Sequence, residues 1–305
     1  DSPSDPNNSD AADFTVTSSD GGSGLASTTC DLDGNAQADC GGVVSGLAEG
    51  SHTFTATATD AAGNSASASF TWVVDTIAPA VSVSGPSDPS NSADADMTVT
   101  SSDGGSGLAS TTCTVDNVAA NCDDDLTGLS DGSHTMAATA TDNAGNSASA
   151  SYTWLVDTTD PSVSVSGPAD PSNSADATFT VTSSDGGSGL ASTTCDLDGA
   201  AADCASATGL ADGSHTITAT ATDNAGNSAS ASYTWYTDLT APTTSLISGP
   251  SADGLQDMYS RTDAAFTFTA SDDYSLSHTE CAWDSPVFGA GLGDECESGV
   301  NMSGL

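Results

Sequence analysis

Three residue types in this chain recur at spacings that could do chemistry: aspartates, cysteines and serine–histidine pairs. Aspartate returns at Asp20, Asp103 and Asp185, at Asp60, Asp142 and Asp223, and at Asp75, Asp157 and Asp238. Sets of carboxylates with oxygen-rich neighbours suit a hard divalent cation. The cysteines fall in four close pairs: Cys30 with Cys40, Cys113 with Cys122, Cys195 with Cys204, and Cys281 with Cys296. The third group, Ser51-His52, Ser133-His134 and Ser214-His215, lies beside aspartates as a nucleophilic triad would.

The elements that position these residues come from an internal repeat, which is to be sought before other patterns. Ser18 to Leu25 returns as Ser101 to Leu108 and as Ser183 to Leu190, and Gly50-Ser51-His52-Thr53 returns at His134 and His215. The first cysteine of each repeat falls at 30, 113, 195 and 281, in steps of 83, 82 and 86 residues. Within a repeat Phe54, Ala56 and Ala58 alternate with threonines, and Phe70, Trp72 and Val74 share one side of the last run. Alternation with period two is a strand signal, and threonine suits a solvated strand face. Gly, Asp, Asn, Ser and Pro clusters separate the runs, as turns require. Several short strands in about 82 residues predict a two-sheet antiparallel sandwich of the immunoglobulin type. The expected fold is all-β: tandem sandwiches at 1–78, 79–160, 161–241 and 242–305, arranged as an elongated rod. The first repeat is expected to lack part of its first strand, and the fourth to be divergent and cut short.

Charge narrows the partners. The chain has 42 acidic residues against one basic residue, Arg261, for a net charge of −41. Such a chain has no basic surface to exchange for the counterions of nucleic acid. It has no apolar run of bilayer length either. Of the acids, four are glutamate (Glu49, Glu280, Glu295 and Glu297) and 38 are aspartate. Aspartate favours turns and calcium loops over helices. Salt adaptation would use glutamate as freely.

Each cysteine pair brackets a strand running into a turn, as in Asp31-Leu32-Asp33-Gly34. The pairs are therefore expected to be disulfides bridging the arms of a hairpin. Closing a loop of about 11 residues this way contributes about 2.5–3 kcal/mol in the chain-entropy model. A zinc site would need Cys-x2-Cys knuckles or nearby histidine ligands, which the spacing does not supply. Persistent disulfides imply export to an oxidising compartment.

In a sandwich of this type two inter-strand loops share one end. The last strand runs away from that end, so its exit aspartate should meet the next repeat. Asp75 is expected beside Asp103 and Asp142, Asp157 beside Asp185 and Asp223, and Asp238 beside Asp272 or Asp273. Asp20 and Asp60 hold the corresponding places in the first repeat. Carboxylates so converged repel unless a cation joins them, and calcium is the expected cofactor. The plainer alternative is that these aspartates only cap their own turns.

The run Thr59-Asp60-Ala61-Ala62-Gly63-Asn64-Ser65, followed by Trp72-Val73-Val74-Asp75-Thr76-Ile77-Ala78-Pro79, resembles the bacterial Ig-like repeats of large secreted surface proteins and adhesins. Gly46-Leu47 before Gly50-Ser51-His52-Thr53 matches as well. The resemblance covers nearly the whole chain and implies spacers, adhesive rods or filament components. The fourth repeat departs from it, with Asp272-Asp273-Tyr274-Ser275 in place of the Gly-Gly-Ser-Gly loop.

No catalytic constellation is expected. The Ser-His pairs repeat at the mouth of a strand, where turn packing explains them, and glycoside hydrolysis would need one unique carboxylate pair. The leading expectation is an extracellular stalk or filament segment whose partners are neighbouring copies of the same or a longer repeat chain. An adhesin whose repeats bind a receptor or glycan is the alternative, and a spacer attached to a secreted enzyme is a third. The Asn7-Asn8-Ser9 and Asn301-Met302-Ser303 triplets fit the N-glycosylation pattern. Repeats broken at both ends suggest a window on a longer chain.

Overall fold

The computed structural model describes residues 2–123, 125–248, 272 and 274, and the strand backbones at Asp263–Ala265, Thr267–Ser271, Glu280–Cys281, Asp294–Glu295 and Asn301–Ser303. Among the described residues there is no helix. The chain divides into two compact units. One comprises Asp1–Pro161 with Asp185–Ala191 and Thr222–Ser228, and the other Ser162–Ser184, Ser192–Ala221 and Ala229–Leu305.

The first unit opens with six strands: β1 (Ala12–Phe14), β2 (Leu25–Leu32), β3 (Asn35–Gln37), β4 (Gly42–Val44), β5 (Gly50–Asp60) and β6 (Ser65–Val74). They form a four-stranded sheet of order β3-β2-β5-β6 and a two-stranded sheet β1-β4. Six more follow: β7 (Ala80–Ser84), β8 (Thr98–Ser102), β9 (Leu108–Val115), β10 (Val118–Ala120), β11 (Gly132–Asp142) and β12 (Ser147–Val156). Their sheets are β10-β9-β11-β12 and β7-β8. The antiparallel register pairs His52 with Trp72, and His134 with Trp154.

The second unit carries β13 (Ser162–Ser166), β14 (Ala177–Thr178), β15 (Thr180–Ser184), β17 (Ala200–Ala202), β18 (Ser206–Ala207) and most of β16 (Leu190–Leu197), β19 (Gly213–Asp223) and β20 (Ser228–Thr237). The order β17-β16-β19-β20 repeats that of the two sheets above. Six further strands, β21 (Thr243–Ser248) to β26 (Asn301–Ser303), pair two by two.

Period two decides which side chains go inside. The first core holds Phe14, Cys30, Leu32, Phe54, Trp72 and Val74. The second is built on Met136, Ala138, Trp154 and Val156, and the third on Phe179, Ile217, Ala219 and Trp235. Met136 and Ile217 are wholly buried, each contributing about 1.5–3 kcal/mol. The tryptophan dominates each core; its partner on the same strand, Phe70, Tyr152 or Tyr233, is only partly buried.

The β2–β3 turn is tight. Asp33 and Gly34 both take positive φ, 52° and 77°, as a type I′ hairpin demands. The Cys30–Cys40 disulfide ties β2 to the loop just beyond β3 rather than to that arm itself, and Cys113–Cys122 and Cys195–Cys204 do the same after β10 and β17. The Cα separations are 5.3, 5.2 and 5.3 Å. The fourth expected pair, Cys281 with Cys296, lies outside the residues whose side chains are described.

Candidate metal centres

The site begins with two loops at one end of a repeat. In the loop after β8, Asp103 Oδ2 accepts the amides of Gly105 (3.1 Å) and Gly107 (2.7 Å). In the β11–β12 turn, Asp142 Oδ1 accepts the amides of Gly145 (2.7 Å) and Asn146 (2.8 Å). These are Asx turns, in which a short carboxylate closes its own loop. The two loops are then tied together: Asn143 Nδ2 donates to the carbonyls of Ser106 and Gly107, both at 2.9 Å, and the Ala144 amide donates to Ser106 Oγ at 3.1 Å.

Into this frame comes Asp75, at the end of β6. Its Oδ2 accepts the Ser106 amide at 2.6 Å, and its carbonyl accepts Asn146 Nδ2 at 2.7 Å. Asp75 is 1% exposed and Asp142 2%. One carboxylate oxygen from each of Asp75, Asp103 and Asp142 lies within 4.8 Å of the others.

The same geometry recurs at Asp157, Asp185 and Asp223, again within 4.8 Å. Asp157 Oδ2 accepts the Ser188 amide at 2.6 Å, and Asn227 Nδ2 donates to the Asp157 carbonyl at 2.8 Å. All six aspartates belong to the first unit.

The electrostatics follow from burial and donors. Burial pushes the Asp75 carboxyl up, but hydrogen bonds from the Ser106 side chain and amide, with the Ile77 amide, bring it below the ordinary value. At Asp157 the Ser188 hydroxyl leads in lowering the carboxyl, while Asp131 raises it by like charge. With one Arg or Lys in the chain, the three carboxylates are met by amides and hydroxyls. Each carboxylate has about four lone-pair sites, more than these donors fill. An all-oxygen set of this kind fits a hard ion such as calcium rather than zinc.

The structure thus brings together six of the ten aspartates singled out in the sequence. Asp20 and Asp60 build the same two turns, Asp20 on the Gly22 and Gly24 amides and Asp60 on Ala62 and Asn64. The described residues bring no third carboxylate to them. Asp238 and Asp272 are half-buried and join no such grouping among the described residues; Asp273 lies outside those residues.

Several junction residues carry no obvious sequence signal. Ser106 and Ser188 sit in a loop that reads as glycine-rich turn. Glu49, Asp131 and Asp212 hold the linkers: Glu49 accepts the Thr76 amide at 3.0 Å, Asp131 the Thr158 amide at 2.9 Å, and Asp212 the Leu239 amide at 2.5 Å. Their repeated position before the Gly-Ser-His run was the available clue. The Ser-His pairs form no nucleophile: both nitrogens of His52 are engaged, by Asp33 at 2.7 Å and the Ala48 carbonyl at 2.8 Å.

Residues 6–76 and 168–238 match the family model of the bacterial Ig-like domain. No curated protein matches. A solved tetra-tandem repeat from the extending region of a large adhesion protein is 21% identical; the match covers 97% of this chain and 86% of that one, with a TM-score of 0.29. A Ca2+-stabilized adhesin with which an Antarctic bacterium binds ice is 22% identical over 89% of this chain and 79% of that one, TM-score 0.33. A 1.5-MDa bacterial ice-binding adhesin is 17% identical over 74% and 88%, TM-score 0.34. By its repeated sheets the chain is all-β with tandem Ig-like repeats, and two stretches of it, 6–76 and 168–238, each match the bacterial Ig-like domain.

Proposed function

We propose that this chain is a structural segment of an extracellular stalk or filament, in which calcium holds the exit of one repeat to the loops of the next. The burial of Asp75 and Asp157 against loops more than 25 residues further along the chain carries this reading. An exit strand that ended freely would leave its last carboxylate in water. Asp75, Asp103 and Asp142 would hold one ion, and Asp157, Asp185 and Asp223 another; the ion would supply positive charge between carboxylates that otherwise repel. Asp20, Asp60, Asp238 and Asp272 remain proposed ligands of further junctions of the same kind. The proposed repeats run 1–78, 79–160, 161–241 and 242–305.

Short linkers support reach. Asp75-Thr76-Ile77-Ala78-Pro79 is clamped by Glu49 at Thr76, and proline restricts itself and the residue before it. Like charge favours an extended chain. At about 3.3 Å per strand residue, the array should reach about 10 nm or more. Small-angle scattering of the whole chain with calcium tests this. The expected result is a rod that loosens in excess chelator; a compact particle, unchanged by chelator, would refute it.

A second reading, an adhesin that binds a receptor or glycan through its repeats, is favoured by one observation. Tyr274 is 44% exposed and stacks on Tyr236 with ring centroids 4.4 Å apart, and exposed aromatics suit sugar or protein partners. A spacer beside a secreted enzyme is a third use of the same modules.

A further inference from the structure

Three of the four histidines, His52, His134 and His215, share one environment; His278 lies outside the described residues. His52 Nδ1 lies 2.7 Å from Asp33 Oδ2 and Nε2 lies 2.8 Å from the Ala48 carbonyl. His134 makes the same two contacts at 2.8 Å each, to Asp116 and Ser130. His215 lies 2.8 Å from Asp198 and 2.9 Å from the Ala211 carbonyl. Both partners of each ring are therefore acceptors. A neutral imidazole has one N–H, so one nitrogen would turn a lone pair on an oxygen at hydrogen-bond distance; the imidazolium donates from both.

The rest of the pocket agrees. Asp33 Oδ1 accepts the Thr53 amide at 2.8 Å, as an ionised carboxylate does. The side chains of the three histidines are 10, 10 and 11% exposed. Each ring lies against the core tryptophan, with centroids 5.6, 5.9 and 5.6 Å apart, close enough for the ring quadrupole to attract a cation. Asp33, Asp116 and Asp198 are the charged groups that face the rings from the hairpin turns. The acids on the loops before β5, β11 and β19 are turned away: Glu49 to Thr76, Asp131 to Thr158 and Thr159, and Asp212 to Leu239 and Thr240. The neighbours facing from β6, β12 and β20 are uncharged tryptophans.

We infer that His52, His134 and His215 are carried as imidazolium cations in the folded repeats, each an alkali-sensitive lock that closes the turn of the disulfide hairpin onto the neighbouring long strand. In a chain of net charge −41 these are built-in internal cations, independent of any metal. Around His134 the Ser130 carbonyl and Asp116 carboxylate raise the pKa above the ordinary 6.5 against the effect of burial. At His52 and His215 burial is the largest influence and opposes the charge, yet the same two acceptors leave the balance raised. Asp33 and Asp116 are held below 3.8, chiefly by the histidine they face.

The signs define the window. A raised histidine stabilises fully below its unfolded value and loses that contribution as pH climbs through the folded one. A lowered aspartate stabilises above its unfolded value and loses that as pH falls through the folded one. The locks are therefore complete from about pH 4 to about pH 6.5 and open progressively above that.

Nitrogen-15 NMR of histidine-labelled full-length chain, titrated from about pH 5 to 9 at fixed calcium, is the test. The imidazoles of His52, His134 and His215, assigned apart from that of His278, should show both nitrogens protonated past pH 6.5 and titrate above it. Substituting Asp116→Asn should lower the midpoint of His134 and leave the other two. The melting temperature of the oxidised wild-type chain should fall across the same interval, where the carboxylates are already ionised. Midpoints at or below 6.5, or a melting temperature flat through that interval, would overturn the inference without recourse to any variant.

Discussion

A Cβ on Gly105 would stand 2.5 Å from the carboxylate carbon of Asp75. The corresponding position beside Asp157 is Gly187, with the same 2.5 Å approach. Real Cβ atoms do not tolerate such contact, so glycine here makes room for the exit carboxylate. At Gly22, in the first repeat, the nearest atom would be the side chain of Asp20 at 3.7 Å, an ordinary contact.

Gly105→Ala is therefore expected to expel the Asp75 carboxylate or push the loop aside, at about 1–3 kcal/mol. Gly22→Ala should cost much less. Hydrogen exchange at Gly145 and Asn146, whose amides bond to Asp142, reads the local effect. Faster exchange there in Gly105→Ala and not in Gly22→Ala is the expected pattern. Equal behaviour of the two variants would mean the loop does not depend on Asp75.

The buried indoles offer a second check. Trp235 Nε1 donates to Thr237 Oγ1 at 3.1 Å, and both residues are almost fully buried. The equivalents of Thr237 are Val74 and Val156, and Trp72 and Trp154 have no indole hydrogen bond among the described residues. Thr237→Val removes the acceptor while leaving the donor in place, which should destabilise that repeat by about 1–3 kcal/mol. Chemical denaturation followed by tryptophan fluorescence measures it. A stabilised variant would show that the extra methyl outweighs the hydrogen bond.

The hairpin disulfides should be worth about 2–3 kcal/mol each. Replacing both Cys113 and Cys122 with serine is expected to lower the stability of the second sandwich by that amount and leave the others. Peptide mapping without reduction should recover Cys30–Cys40, Cys113–Cys122 and Cys195–Cys204, and is expected to add Cys281–Cys296. A bridge between repeats would contradict the module boundaries proposed above.

The strands were readable because period two and turn residues are local signals: Phe54 is buried with Ala56 packed against its core, and Met136, Ala138 and Ala140 are buried at the equivalent places, as the alternation requires. The convergence of Asp75 with Asp103 and Asp142 was readable too, since a repeated sandwich dictates which loops meet an exit strand. Ser106 and Asn143 were not. Their hydrogen bonds join residues 36 to 38 apart, and no pattern within either loop announces a partner at that distance. The Asp33–His52 pair escaped for the same reason, spanning 19 residues. Asp131 is harder to see for a different reason: its one clue is a repeated place before the Gly-Ser-His run, and in a chain with 42 acids such a carboxylate stands out little.

Calorimetric titration of calcium into the chelator-stripped, oxidised chain asks whether the converged aspartates hold metal. Saturable binding of two or more ions is expected. Asp142→Asn should remove or weaken one of them, and Asp223→Asn another. Weak, unsaturable heat that neither substitution changes would contradict it, and would leave Asp75 and Asp157 held to their loops by the Ser106 and Ser188 amides alone.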